Sequence, residues 1–382
     1  MASAQNNPGS YLTAARELAP RIAAASDDID RERELPDELF AELADKGFFR
    51  LLVPRLLGGG EIDYLEHLSI VQTFAEVDGS TAWCINQNNV FATVSAKMPE
   101  PLAREIWGAP RAVVANGPPT NAFAVPVSGG YRLTGRWNFS SGCRHAAWMA
   151  AVAPVKDPST DKREDRMLIM PKGEVNLLDV WQVNGLRGTG TFSFEVEDIF
   201  VPSERTFNMA DSPREEGPLY VMPMLLLFAS GFACTALGVA RTALNVAVEL
   251  AGGKRPRLEQ NLLRDKPIVQ REIGRAEAIW GSARAFLLEA ATAAWESACK
   301  VHALTVEERI RLRLASTHAI RMAAAAVDIV YEVCGSDSIF EHKPIQRRFQ
   351  DAHVITQQIQ GRMAHYETAG QFFLGLEPEG MF

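Results

Sequence analysis

The apolar positions of this chain change their period twice. Over 11–29, Leu12, Ala15, Leu18, Ala19 and Ile22 recur at helical spacing. Leu35–Phe48 predicts a second helix, with Pro36 near its start and Gly47 at its end. Helix resumes over Tyr64–Asp78 and again over Pro99–Trp107, which Gly108 closes. From Ala112 to about Asn208 the period becomes two, and six or seven strands with turns between them predict a small β barrel or sandwich. Its clearest strand is GGYRLTGRWNFSSGC at 129–143, where Tyr131, Leu133, Trp137 and Phe139 alternate with polar residues and Ser140-Ser141-Gly142 breaks the run. A second such run is TFSFEVEDIFVP at 191–202, and the charged stretch Lys156–Asp165 predicts a solvated hairpin loop. After Pro218 the helical period returns, over Leu219–Leu250, Pro267–Val301, Val306–Val333 and Pro344–Leu376. The expected fold is therefore α+β: an N-terminal helical domain (1–111), a central β domain (112–215) and a C-terminal four-helix bundle (216–382).

Composition narrows the class. A chain of 382 residues with 47% hydrophobic and 23% charged residues suits a globular protein with a full core. Its net charge of -8 argues against nucleic acid as a partner. Five scattered cysteines without a CxxC fit a reducing cytoplasm. The N-terminus has no basic segment followed by an apolar one, so no signal peptide is expected. The uncharged run between Glu216 and Arg241 is long enough to span a bilayer, but Pro218, Pro223 and Gly231 interrupt it, and a buried helix rather than a membrane span is expected.

Some chemistries are excluded and others invited. No βαβ repeat is present, and the Gly-rich loop Pro54–Asp63 lacks the GKS/T of a phosphate loop. The histidines stand far apart without an HExxH, so no metal site is expected. The Ser140-Ser141 corner could bind the edge of a flat heteroaromatic ligand together with Asn116, while Trp137 or Phe139 meets its face; otherwise the serines only cap a turn and Trp137 is core. In AWCINQNNVF (82–91) the run Asn86–Asn89 makes either a polar helix face or the lining of a pocket. Arg187-Gly188-Thr189-Gly190 reads as a tight turn before it reads as an anion site. Lys254, Arg255, Arg257 and Arg264 could hold a pyrophosphate, or form an ordinary basic loop. Gln357 and Gln358, in the middle of an otherwise packed helix, suggest a pocket wall, and nearby His353 has the chemistry for proton transfer.

Several segments together resemble the acyl-CoA dehydrogenase superfamily: ELADKGFFRLLVPRLLGG (42–59), GYRLTGRWNFSSGCRHAAW (130–148), LRGTGTFSFEVEDIFVPSERT (186–206), the basic 254–257 cluster and VCGSDSIFEHKPIQRRFQDAH (333–353). The resemblance covers nearly the whole chain. It implies a flavin between the β domain and the bundle, and a homotetramer. The glutamate base of several dehydrogenases falls here at Ile359, which cannot take a proton. The RWNFSSGC form instead resembles the flavin-dependent two-component monooxygenases, such as the hydroxylases of 4-hydroxyphenylacetate and of a steroid-derived phenol, and dibenzothiophene monooxygenase. That branch implies a cytoplasmic oxygenase component. It takes FMNH2 or FADH2 from a separate NAD(P)H:flavin reductase and reacts it with O2. A C4a-(hydro)peroxyflavin then oxidises a small aromatic or heteroatom-containing substrate. The alternative is a dehydrogenase or oxidase with its base elsewhere. The resemblance assigns Trp137, Ser140, Ser141, Arg255 or Arg257, and Gly335 to the flavin, to which the pattern at the corner adds Asn116; Trp83, Asn88, Phe91 and Gln358 are the substrate-binding candidates. Ser140, Ser141 and His353 are the catalytic candidates. A histidine that the monooxygenases often carry is replaced here by Gln358, and the one that many phenol hydroxylases carry near Asn88–Phe91 is absent. Oxidation at nitrogen or sulfur, or of an unusual ring, is left open by these departures.

Overall fold

The computed structural model describes residues 10–156 and 164–382. Most of the charged 156–165 loop lies outside the described residues, as do residues 1–9 of the N-terminal stretch. The N-terminal part holds helices α1 (Ser10–Glu32), α2 (Asp37–Asp45), α3 (Tyr64–Ala75), α4 (Gly79–Ala92) and α5 (Glu100–Trp107). The starts of two of them follow from local chemistry. Asp63 accepts from the amides of Leu65 and Glu66, and Asp78 from the amide and hydroxyl of Thr81, so each carboxylate satisfies donors that a helix start leaves bare. Helix α4 is buried almost all round, with only Gln87 partly accessible, because it runs between the other two parts of the chain.

Strands β1 (Val114–Asn116), β2 (Phe123–Val127), β3 (Gly130–Ser140), β4 (Trp148–Val155), β5 (Glu164–Pro171), β6 (Asn176–Leu178), β7 (Phe192–Pro202) and β8 (Thr206–Phe207) form one mixed sheet. Its order is β6-β7-β3-β2-β4-β5-β8, with β1 beside β4. The path from β6 to β8 does not close, so of the two expected forms, barrel or sandwich, the layer is sandwich-like. Strand β3 pairs antiparallel with β7, and the register slips between Trp137 and Ser140. Such a bulge reverses the alternation of faces. Phe139 takes a left-handed φ of 57° and turns outward, while Ser140 turns in.

The bundle contains α6 (Met224–Gly253), α7 (Pro267–Val301), α8 (Val306–Cys334), α9 (Pro344–Thr356) and α10 (Ala364–Phe373). Helix α6 is long and apolar enough to cross a membrane, but 83% of that window is buried within the protein, as the buried-helix expectation required. The expected single helix Pro344–Leu376 is broken between α9 and α10. Four side chains hold the connector: Arg313 bonds the Gln360 side chain, Thr317 the Gln360 carbonyl (3.0 Å), Arg321 the Gly361 carbonyl (2.7 Å) and His365 the Ile359 carbonyl (2.8 Å). Residues 313, 317 and 321 share one face of α8. The last three donors satisfy main-chain carbonyls that a continuous helix would satisfy internally, and Arg313 anchors the Gln360 side chain, so the break is stable.

Candidate active site

At the end of β3, Ser141 lies between three elements. Its Oγ accepts from Trp83 Nε1 on α4 at 3.0 Å and is 2.8 Å from Thr191 Oγ1. Thr191 is 2.6 Å from Thr189 Oγ1, and Thr189 donates to the Leu186 carbonyl at 2.9 Å. Each hydroxyl has one proton. The carbonyl can only accept, so the proton of Thr189 is committed to it. Thr191 must then donate to Thr189, and Ser141 to Thr191. The chain runs one way, from the Trp83 indole to Leu186. Ser141 consequently has a lone pair, and no proton, to offer a ligand.

Ser140 differs. It is fully buried, and its Oγ has no hydrogen-bond partner among the described residues. It sits against the end of β1: a Cβ added to Gly117 would lie 2.8 Å from it. Beside it, Asn116 Oδ1 accepts from Gln87 Nε2 at 3.1 Å, which leaves the Asn116 amide protons unspent on that contact. Gly142 has φ of 74°, and a Cβ there would meet Asn88 Nδ2 at 2.9 Å. Asn88 Nδ2 donates to its own helix at Cys84, and Asn88 Oδ1 is buried without a partner. Strand β3, strand β1 and helix α4 thus bring Ser140, Ser141, Asn116, Trp83 and Asn88 together.

Neither reading of the Asn86–Asn89 run holds as stated. Its members point in different directions: Asn86 to His67, Gln87 to Asn116, Asn88 back to Cys84, and Asn89 to Phe48 and Leu52. They knit α4 into its surroundings as well as facing the corner. Trp83 stacks on Phe232 of α6 at 3.9 Å, which makes an apolar wall behind Ser141. Phe91 lies on the Trp83 and Gln87 side of α4 by spacing and is buried in the core.

Trp137 does not offer a face to a ligand. It has no exposed surface, stacks on Phe194 at 4.9 Å and donates to the Val152 carbonyl at 2.9 Å. The bulge instead exposes Phe139, with 64% of its surface accessible, at right angles to Trp181. Arg187–Thr189 is a tight turn, entered by Leu186 at φ 51°, as its sequence suggested. Thr189 and Thr191 were visible as polar residues, but only the packing of their turn against the end of β3 joins them to Ser141.

The bundle candidates lie apart from the serines. Lys254 Nζ bonds the Cys334 carbonyl at 2.7 Å and Asp337 at 2.5 Å, and it lies 3.8 Å from a Cβ added to Gly335. That contact draws Gly335 to the basic loop, where Arg255 and Arg257 are exposed with no ion pair among the described residues. His353 Nε2 bonds Asp328 of α8 at 2.8 Å and packs on Phe349, so it is tied to the bundle and not to the Ser140 corner. Gln358 is not in mid-helix. It caps the short turn after α9, where its Oε1 accepts from the Gln360 amide at 2.6 Å. Asp351, two residues before His353 and on the other face of α9, reaches the corner's supporting turn: its Oδ1 accepts from the Leu186 amide at 2.6 Å. Burial pushes its carboxyl up to about 6, against the pull of Arg348.

The donor set fits a ring with a polar edge and a distant phosphate. Ser140 has an unspent proton, Asn116 has amide protons unspent on Gln87, and Arg255 and Arg257 stand exposed, without an ion pair among the described residues, on the basic loop whose Lys254 reaches Gly335. Comparison with known proteins agrees. The family "Acyl-CoA dehydrogenase, N-terminal domain" matches residues 12–106, and "Acyl-CoA dehydrogenase, C-terminal domain" matches 230–361. An indole-3-acetate monooxygenase of Pseudomonas putida is 30% identical over 360 residues, covering 94% of this chain and 92% of that protein. The HsaA monooxygenase of M. tuberculosis superposes with a TM-score of 0.89 at 28% identity, over 98% of this chain and 99% of that one. XiaF from Streptomyces sp., solved with FADH2 and glycerol, superposes with a TM-score of 0.88 at 26% identity, over 96% and 95%. The chain belongs to the acyl-CoA dehydrogenase-fold superfamily, in its branch of flavin-dependent two-component monooxygenases, and works as an oxygenase component with reduced flavin and O2.

Proposed function

We propose that this oxygenase takes FADH2 from a separate NAD(P)H:flavin reductase, works as a cytoplasmic homotetramer and oxidises an electron-rich heteroaromatic ring of the indole type. The observation that carries the reading is the Ser140–Ser141 corner, where a free hydroxyl proton stands beside a hydroxyl that can only accept. FADH2 when bound supplies the two electrons that let one atom of O2 enter the substrate while the other leaves as water. Ser140 and Asn116 would hold the ring's polar edge, and Arg255 or Arg257 its phosphates. Trp83 and Phe232 form a wall that keeps water out. The likeness to an indole-3-acetate monooxygenase and to a chain solved with FADH2 supports this choice of ring and flavin. So does the chemistry of the corner. His353 is engaged by Asp328. His145 Nε2 is 2.7 Å from the Leu35 carbonyl and so carries the ring's proton, and its other nitrogen, Nδ1, faces Asp37 at 3.7 Å. An indole ring is reactive without losing a proton; a phenol is activated by a base.

The test is incorporation of labelled oxygen from 18O2 into indole, indole acid and phenol substrates, with FADH2 generated by an added reductase. Label in an indole product, and none without the reductase, is expected. Labelled phenol product with untouched indoles would replace the substrate class. Hydrogen peroxide equal to the FADH2 consumed, with every ring untouched, would end the reading.

A further inference from the structure

We propose that Asp351 is a positioning residue of this site: by holding the Leu186 amide it fixes the direction of the hydroxyl chain that makes Ser141 an acceptor. The argument is geometric and rests on the functional reading only in taking the Ser140–Ser141 corner as the active one. Leu186 is where the chain ends. Its carbonyl receives the Thr189 hydroxyl at 2.9 Å and the Trp181 indole at 3.2 Å, while its amide points the other way, to Asp351 Oδ1 at 2.6 Å. Leu186 is a non-glycine residue at φ 51°, a conformation that persists only when its surroundings impose it. The Asp351 oxygen helps to impose it, since the buried Leu186 amide must meet an acceptor and Oδ1 stands in the one place that this backbone conformation aims it.

The same helix reaches the other half of the site. Arg348, one turn before Asp351 and 3.6 Å from it, donates to the Val77 carbonyl just ahead of α4. Asp351 Oδ2 lies 3.4 Å from where a Cβ on Gly79, the first residue of α4, would stand. Helix α4 carries Trp83, the donor that opens the hydroxyl chain. One pair on α9 therefore holds both ends: the turn that receives the last proton and the helix that gives the first. The charged groups facing Asp351 are Arg348 and Arg347 from its own helix and Asp78 from the start of α4. Were Leu186 to turn, Thr189 would lose its carbonyl, Thr191 and Ser141 would be free to reverse, and Ser141 would present a proton in place of a lone pair.

Three variants separate this role from general stability. Asp351→Ala removes the acceptor. Asp351→Asn keeps an acceptor of the same shape without charge. Asp351→Glu keeps the charge but moves the carboxylate by one methylene. The first readout is amide hydrogen exchange of the 184–191 segment, in protein without flavin or substrate. Exchange there should rise at least tenfold in D351A and D351E and stay near wild type in D351N, with α8 amides unchanged in all three. The second is hydrogen peroxide released per FADH2 consumed, which should rise severalfold in D351E and little in D351N, with KM for the ring little changed. Thr191→Val, which cuts the chain between Ser141 and Thr189, should uncouple to the same degree, and adding it to D351E should add nothing further. An unchanged 184–191 segment in D351E would overturn the proposal. So would D351N behaving worse than D351E, which would make the charge and not its position decisive, or exchange rising equally across α6–α8. If D351A does not fold, the D351N and D351E ranking still decides. Because exchange is read without flavin, failure of the indole reading would leave that result standing.

Discussion

Replacing Ser141 by alanine tests the hydroxyl chain directly. Among the described residues Ser141 Oγ is the one acceptor of the buried Trp83 indole N–H, at 3.0 Å, and it donates to Thr191 at 2.8 Å. In S141A the indole N–H is left buried and unpaired, a cost of about 1–3 kcal/mol. Thr191 keeps its bond to Thr189 and loses one donor, so the extra cost there is small. The sum is about 2 kcal/mol of destabilisation. Trp83→Phe alone loses part of the stacking on Phe232 as well as the indole N–H, again about 2 kcal/mol. In the double variant the unpaired donor is gone. The cycle should therefore show a favourable coupling of about 1–2 kcal/mol between the two positions. The assay is denaturation in urea followed by circular dichroism at one pH for all four proteins, with the slope compared to confirm equal exposure on unfolding. Strict additivity, or S141A within about 0.5 kcal/mol of wild type, would refute the one-way chain. In that case Trp83 has another acceptor and Ser141 is free to donate.

Further outcomes follow from the same geometry. Trp137→Phe should lose about 1 kcal/mol through its bond to Val152 and leave FADH2 affinity, read by anaerobic titration, unchanged; a large loss of affinity would return Trp137 to the ligand. Gly142→Ala places a Cβ 2.9 Å from Asn88 Nδ2 at φ 74° and should lower stability by more than about 1 kcal/mol, measured by thermal melting. Burial pushes His67 down to about 4, so the folded protein resists its protonation. Stability from this group is present above the ordinary histidine range and is lost as pH falls from there toward 4, by up to about 3 kcal/mol. Denaturation of wild type and His67→Gln from pH 7 to 4.5 should show that slope only in the wild type. Asp351 has the opposite sign: its raised pKa favours the folded state increasingly as pH falls through 6 toward the ordinary aspartate range, and D351N should remove that contribution.

The alternation of apolar residues was enough to place the sheet between two helical parts, because burial on one face selects period two in strands and 3.6 in helices. It was enough, too, to find α6 and judge it a core helix, since prolines and glycines interrupt an otherwise apolar run. The motifs around Ser140, Ser141 and Gly335 carried the family, because they are continuous stretches of chain. What they could not carry was direction. A one-residue bulge between Trp137 and Ser140 sends Trp137 into the core and Phe139 out, and a strand pattern reads the same with or without it. The break after α9 depends on Arg313, Thr317 and Arg321, which stand 40 or more positions from the carbonyls they hold. His353 and Asp351 are two residues apart, yet one turns to α8 and the other to Leu186, 165 positions away. Which of them supports the site was decided by how α9 packs. Local sequence sets the period and the ends of each element; only tertiary structure sets which buried donor meets which acceptor, because that pairing joins residues distant along the chain.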